Sequence, residues 1–243
     1  MTSEQQPHRV NAEGAKARIQ RALKQSPLFE RVSRTTRESL MNVAEVDVVA
    51  TGLPILKQGT PTGGLVVLGR GRARVERVTH AGKVVPLGYR GSGDVLGEAC
   101  LGQTKENAES ATAMEETEVV RIPLPVVDEI VASDPAMGPA LLGLILTRQR
   151  EAEDRIESLL FRNVEGRVVE FLLKAADRWG VPSPRGVLIS APITHLEIAQ
   201  SIGSTRETVT LTLGALRREG LLDVAGRRLI VRERDALLAR TTL

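Results

Sequence analysis

At 243 residues, 42% hydrophobic and 26% charged, the chain is long enough for two domains and too apolar for general disorder. No apolar run approaches the roughly 18–20 residues of a membrane helix, the polar segment Met1 to Ala17 lacks a secretory core, and one cysteine, Cys100, excludes internal disulfides and four-thiolate clusters, so a cytoplasmic protein is expected. The net charge of +3 resides entirely in residues 184–243, where nine Arg and no Lys face six Asp/Glu, a balance suited to phosphate or to a solvated basic surface.

Residues 1–14 read as a flexible tail, followed by a helix over Ala15–Leu23 and a turn at Ser26-Pro27-Leu28-Phe29. Between Thr51 and Gly102, 12 of the 22 glycines punctuate short β-rich runs such as Leu65–Leu68, Val84–Leu87 and Val95-Leu96. Further strands are expected at Ala108–Ala113 and Glu118–Ile122, and this texture indicates an antiparallel barrel or sandwich. A short helix at Val126–Ala132 closes a domain spanning 15–135.

A long helix occupies 136–162. Leu142, Gln149 and Ile156 fall at one heptad position and Ile145, Ala152 and Leu159 at the other, the seam of a two-stranded coiled coil with one polar intruder. A helix packed on its own domain is the alternative. The remaining domain, 163–243, begins with a helix over Glu165–Trp179 and a turn-rich stretch to Gly186. A short strand, two helices and a final hairpin complete it.

The two helices carry the chemistry. Leu196, Ile198, Ala199 and Ile202 give the first an apolar face, and Gly203 permits a tight turn with positive φ. Ser204 or Thr205 caps the second, Glu207 suits its N-terminal dipole, and Val209, Leu213 and Leu216 face inward. Small Ala199 allows the close crossing of a helix-turn-helix. Thr205, Arg206, Glu207 and Thr210 then point outward at the end that enters a major groove, while Thr208 turns toward the core or a phosphate. Arginine donates twice to guanine O6 and N7 and glutamate accepts from cytosine N4, so together they read a G·C-containing half-site. An Arg-Glu pair on an ordinary solvated face is the competing reading. Ala225-Gly226-Arg227-Arg228 makes a second tight turn, a wing whose arginines contact phosphate or simply face solvent.

Other functions find little support. The chain has no nucleophile elbow, P-loop or metal-spaced cluster, and its three histidines lie far apart, so neither an enzyme nor a metal or cofactor is expected. Aromatics at 2% argue against RNA binding by stacking. A ligand-binding regulatory module acting mainly on partner proteins is the alternative function.

The string Ile193-Thr194-His195-Leu196-Glu197-Ile198-Ala199 through Ser204-Thr205-Arg206-Glu207-Thr208-Val209-Thr210 resembles the DNA-binding domain of the cyclic-AMP receptor protein/FNR (CRP/FNR) family, as does Asn163-Val164-Glu165-Gly166-Arg167. The resemblance runs from about Leu23 to the end. It implies an α+β fold: an N-terminal cyclic-nucleotide-binding-type antiparallel β-roll, a long dimerisation helix and a C-terminal winged helix-turn-helix. It further implies a homodimer on palindromic promoter DNA, working with RNA polymerase, whose β-roll either senses an unidentified small molecule or keeps the dimer constitutively active. Thr194, Ser204, Thr205, Arg206, Glu207, Thr210, Arg227 and Arg228 would contact DNA, at a half-site with a GTG-like core.

Gly91-Ser92-Gly93-Asp94-Val95-Leu96-Gly97-Glu98-Ala99 is similar to the family's phosphate-binding cassette, which makes Gly97, Glu98, Ala99 and Ser110 the ligand-binding candidates. Where nucleotide-binding members place an arginine, this chain has Glu109. At about 4 Å and an effective dielectric near 20, like charges cost about 4 kcal/mol. The helix positions that would offer hydroxyls to adenine are Ala152 and Glu153. Cyclic AMP is therefore not the expected effector; either the cassette is a structural turn or another ligand binds. Only Cys100 is available, which excludes an iron–sulfur sensor; His80, in the turn Thr79-His80-Ala81-Gly82, is expected to be exposed, and Cys100 to be core. The DNA-reading helix has Leu211 where some members carry a further arginine, so the resemblance implies that one G·C contact is absent or replaced by contact with a thymine methyl.

Overall fold

The computed structural model describes residues 12–103 and 105–241. Helices α1 (Ala12–Gln25), α2 (Pro27–Glu30) and α3 (Arg34–Val43) come first. Of the expected N-terminal tail, residues 1–11 lie outside the described residues, whereas residues 12–14 already belong to α1. Eight strands follow: β1 (Glu45–Val49), β2 (Pro54–Leu56), β3 (Gly64–Arg70), β4 (Ala73–Val78), β5 (Val84–Arg90), β6 (Val95–Leu96), β7 (Ser110–Ala113) and β8 (Thr117–Pro123). A 3-10 turn, Glu98–Leu101, connects β6 to β7, and α4 (Leu124–Ser133) leads into α5 (Met137–Phe161).

The strands form two antiparallel sheets, ordered β1-β8-β3-β6 and β2-β7-β4-β5. Period-2 alternation explains how β3 is buried on both faces. Leu65 and Val67 join Val120 and Ile122 of β8 in a core with the helices α1 to α4, while Val66 and Leu68 join Val75, Ala111 and Val119 in a second core. The β4–β5 hairpin turns at Thr79–Gly82, leaving His80 exposed as expected. Cys100 is fully buried, and desolvation raises its thiol to about 11.

Contacts divide the chain between Arg148 and Gln149, within α5. The second unit contains α6 (Val164–Trp179), β9 (Gly180–Ser183), β10 (Gly186–Ile189), α7 (His195–Ile202), α8 (Arg206–Arg218), β11 (Leu222–Ala225), β12 (Arg228–Val231) and α9 (Arg234–Ala239). Its sheet has the order β11-β12-β10-β9. Val168, Leu172, Ile198, Val209, Leu213 and Leu216 lie at the centre of one apolar core. No single helix among the described residues is long and apolar enough to cross a membrane.

Three sequence expectations need correction. The turn-rich stretch after Trp179 forms β9, because an edge strand tolerates prolines such as Pro182 that a central strand would not. The chain also continues past the final hairpin into α9. Finally, Leu196 is 51% exposed instead of lining the inner face of α7. It stands about 200° around the helix from Ile198, away from the stripe of Ile198, Ala199 and Ile202.

One buried carboxylate fastens the start of α3 to the turn between α4 and α5. Asp134 accepts from Ser33 N at 2.8 Å, Thr36 Oγ1 at 2.7 Å and Ala136 N at 3.0 Å. These donors, Thr36 first, lower its pKa from 3.8 to about 2. A carboxylate held below its unfolded value stabilises the fold fully above pH 4, and that contribution is lost as pH falls toward 2. Asp134→Asn should therefore lower the melting temperature at pH 6 and shrink its drop between pH 5 and pH 3, followed by circular dichroism. An undiminished acid drop in the variant would contradict this role.

Candidate nucleic-acid interface and sensor cassette

The helix pair α7–α8 is set by caps at both ends. Thr194 Oγ1 accepts from Glu197 N at 3.2 Å while Glu197 Oε2 accepts from Thr194 N at 2.7 Å, a reciprocal capping box. The Thr-x-x-Glu spacing that produces it is plain in the sequence, although the box was not among the features expected. α7 ends at Gly203, whose φ of 65° and ψ of 48° place it in the left-handed region. The Ser204 amide closes the turn on Ala199 O at 2.9 Å. Thr205 then caps α8 by accepting from Thr208 N at 3.2 Å, so Thr205 and not Ser204 is the cap. The Thr208 hydroxyl sits 3.0 Å from Thr205 Oγ1.

This geometry leaves Arg206 and Glu207 as the first two residues of α8, both exposed. Among the described residues neither side chain has a hydrogen-bond or ion-pair partner. Elsewhere in this unit Arg185 pairs with Asp223 at 2.8 Å and Arg234 with Asp177 at 2.8 Å. Thr210 is exposed on the same face, but its hydroxyl donates to Arg206 O at 2.8 Å and lies 2.8 Å from His195 Nδ1. Because that proton is committed to the helix, the ring nitrogen must be the donor to Thr210. Neither partner of Thr210 was legible in sequence. Thr194 is exposed at the start of α7, with its hydroxyl used for capping.

The wing is the β11–β12 hairpin, in which Ala225 pairs with Arg228 across Gly226 and Arg227. Arg227 and Arg228 are both exposed at its tip, as expected. Both sit in the same unit as α8.

Comparison with known proteins agrees with this arrangement. Residues 166–240 match the family model of the Crp-like helix-turn-helix domain and residues 47–134 that of the cyclic nucleotide-binding domain. The chain is 30% identical over 211 residues to a cyclic AMP receptor protein of Thermus thermophilus, covering 87% of this chain and 94% of that one. The chain belongs to the CRP/FNR family of transcriptional regulators. A global nitrogen regulator of Synechocystis sp. is 30% identical over 186 residues, covering 76% of this chain and 83% of its own. In fold, the chain resembles FixK2 from Bradyrhizobium japonicum, with a TM-score of 0.73 at 22% identity over 83% of this chain and 98% of that one. Members of this family are DNA-binding regulators and not enzymes.

In the sensor unit, Gly97 adopts φ 82° ahead of the 3-10 turn that carries Glu98 and Ala99. A side chain there would bring a Cβ within 2.5 Å of Gly64 O, so the cassette backbone is packed directly on β3. Ser110 Oγ accepts from Gln58 N at 3.0 Å. Glu98 is paired within the protein: Arg148 Nε lies 3.4 Å from its Oε1, and Arg148 Nη2 donates to Val95 O at 2.8 Å. Glu98 Oε2 is buried without a hydrogen-bond partner among the described residues. Burial and the adjacent Glu98 raise the Glu109 pKa, against the opposing pull of Arg90, Arg148 and Arg77. Arg148 was not among the residues expected here; its place in the seam-bearing helix concealed it.

Proposed function

We propose that this regulator works in the cytoplasm as a homodimer on palindromic promoter DNA, with RNA polymerase as a further partner, and that cyclic AMP does not activate it. The observation that carries the DNA reading is the unpaired, exposed Arg206–Glu207 pair at the N-terminal end of α8. An arginine left without an internal carboxylate is free to make the bidentate contact to guanine, and Glu207 to accept from cytosine. Thr194, Ser204, Thr205 and Thr210 flank that pair, and Arg227 and Arg228 supply sequence-independent phosphate contacts.

Pairing of two copies is supported by the expected seam. Leu142 is 59% exposed, Ile145 45%, Ile156 57% and Leu159 45%, a row of apolar side chains that a single chain leaves in water. Burying such a row against its two-fold copy is the usual use of a heptad pattern. Domain assignments follow: sensor 15–135, pairing helix 136–162 and DNA-binding domain 163–243.

The effector reading rests on charge. A cyclic phosphate entering the cassette would meet Glu109, and Glu98 and Glu109 already compete for the neighbouring arginines. Relatives of comparable similarity carry names as different as cyclic AMP receptor protein and global nitrogen regulator. The candidate contacts of a small molecule other than cyclic AMP are Gly97, Glu98, Ala99 and Ser110; the alternative is a cassette that serves as a structural turn, which the Glu98–Arg148 pair also suits.

Arg206→Ala should weaken binding to a selected operator by about 1–3 kcal/mol and leave non-specific DNA binding nearly intact in titrations at fixed salt. Equal losses on both DNAs would contradict base reading. Ile156→Asp should convert a sedimenting dimer to monomer; a wild-type protein that is monomeric at micromolar concentration would remove the pairing. Cyclic AMP at millimolar concentration should leave the melting temperature unchanged, since a ligand of the folded state raises it by mass action. A clear rise would overturn the reading of Glu109.

A further inference from the structure

A charged side chain points into the space between the two sheets of the sensor unit. In the register of the first sheet, Glu45, Arg121, Val66 and Leu96 stand directly opposite one another across β1, β8, β3 and β6. Opposed residues share a face of an antiparallel sheet, and Val66 and Leu96 lie in the core between the sheets with Val75 and Ala111. Arg121 therefore faces the second sheet, where its Nη1 donates to Ile55 O of β2 at 3.4 Å. Its Nη2 donates at 3.4 Å to Oδ2 of Asp47, two residues along β1 from Glu45. Charge-assisted bonds of this kind normally close to about 2.7–2.9 Å, so both contacts are loose. The other oxygen, Asp47 Oδ1, is buried without a hydrogen-bond partner among the described residues. Arg121 thus has donors to spare. Glu45, directly across from it, is exposed and has neither a hydrogen-bond nor an ion-pair partner among the described residues.

A cavity of about 220 Å³ opens beside these groups, and Glu45, Leu56, Gly64, Val66, Arg121 and Pro123 are among its walls. It is smaller than the roughly 300–1,000 Å³ of pockets for drug-sized ligands, which suits a smaller metabolite. We propose that it binds a small apolar α-amino acid as a zwitterion, with the carboxylate on Arg121, the ammonium on Glu45 and the side chain against Leu56 and Val66. The planar fork of arginine matches a carboxylate. A carboxylic acid without the ammonium would meet the charge of Glu45, and an amine without the carboxylate would meet that of Arg121; the zwitterion answers both. A polar side chain would lose its water against Leu56 and Val66 without replacement. None of these groups belongs to the cassette set Gly97, Glu98, Ala99 and Ser110, and the site stands independently of the DNA-reading role of α8. The two sites still adjoin: a Cβ on Gly97 would lie 2.5 Å from Gly64 O and 3.8 Å from Leu56 Cδ1. An occupant therefore rests against the residues that support the cassette backbone.

The test is calorimetric titration of the full-length protein, without DNA, with valine, leucine and methionine as free amino acids. At least one should bind saturably and raise the melting temperature by mass action. Its deaminated and decarboxylated analogues, which each keep one charge, should bind about ten- to a hundredfold more weakly. Glu45→Gln should cost about tenfold or more in affinity while leaving the melting temperature of the free protein unchanged. Arg121→Gln should abolish binding; because it leaves Asp47 without its partner, Glu45→Gln at the exposed edge decides the matter if the Arg121 variant does not fold. Absence of saturable binding by all three at millimolar concentration overturns the proposal. So does an analogue that binds as well as the amino acid, or an affinity unchanged in Glu45→Gln. Binding that survives Glu45→Gln and is lost in Glu98→Gln would move the molecule to the cassette and equally overturn it. The Arg206–Glu207 reading stands or falls by its own DNA titrations.

Discussion

The DNA-binding unit depends on one steric constraint, the close crossing of α7 and α8 around Ala199 and Gly203. Ala199 is 1% exposed in the core where Ile198, Val209 and Leu213 meet, and a larger side chain there would force the helices apart, at a cost of about 1–3 kcal/mol. The turn that follows has no room for ordinary backbone, because Gly203 must take a positive φ to bring the chain round. Once these two positions hold, the rest follows locally. Thr205 caps α8, Val209, Leu213 and Leu216 bury its inner side, and Arg206 and Glu207 have nowhere to go but outward. Their lack of internal partners is thus a consequence of the crossing. The unit spends apolar burial to hold two charged side chains in water, ready for a groove.

The sensor unit shows the opposite economy of charge. Around Glu109 the structure gathers Glu98, Arg90, Arg148 and Arg77, and it leaves Glu98 Oε2 buried without a hydrogen bond among the described residues. A buried orphan acceptor costs about 1–3 kcal/mol. Arg148 compensates in part, since it also satisfies Val95 O at the strand that leads into the cassette. The cassette is thereby fastened to the N-terminal half of α5 by a side chain of the protein itself.

Much of this was legible because local rules and global packing agree. The glycine-punctuated run forecast β3, β5 and β6, the stretches after it forecast β7 and β8, and the alternation of β3 residues between two cores accounts for its unbroken apolar sequence. The Gly203 turn, the Thr205 cap and the inward stripe of α8 were readable for the same reason. The misses have separate causes. β9 was hidden by Pro182, because the sequence does not reveal that this strand lies at a sheet edge, where a proline costs no ladder bond. β1 and β4, at Glu45–Val49 and Ala73–Val78, carry charges at alternate positions and pass for surface loops until a partner strand is known. Leu196 was assigned inward by its apolarity alone, against the period of the helix. The partners of Arg148 and the His195–Thr210 contact come from other elements, and no local pattern could announce them.

The C-terminal half of the proposed pairing seam and α8 are physically joined within one unit. The C-terminal half of α5 is tied to α6 through Ser158 and Arg162, which both engage Glu170, and through Lys174, which bridges Glu170 and Asp154. These contacts, together with the short range of donors around it, lower the Glu170 pKa despite its burial. Leu159, a seam residue, also approaches the helix-turn-helix directly: a Cβ on Gly203 would lie 3.2 Å from its Cδ2. The glycine therefore serves two masters, the backbone of the turn and the space needed by the seam. In the proposed dimer the residue that packs against its two-fold copy is the same residue that abuts the turn setting α8. Any change in how the two seams meet is then felt at Gly203 through a single van der Waals contact, without passing through the sensor. The separation and tilt of the two reading helices are consequently set close to the DNA-binding unit itself.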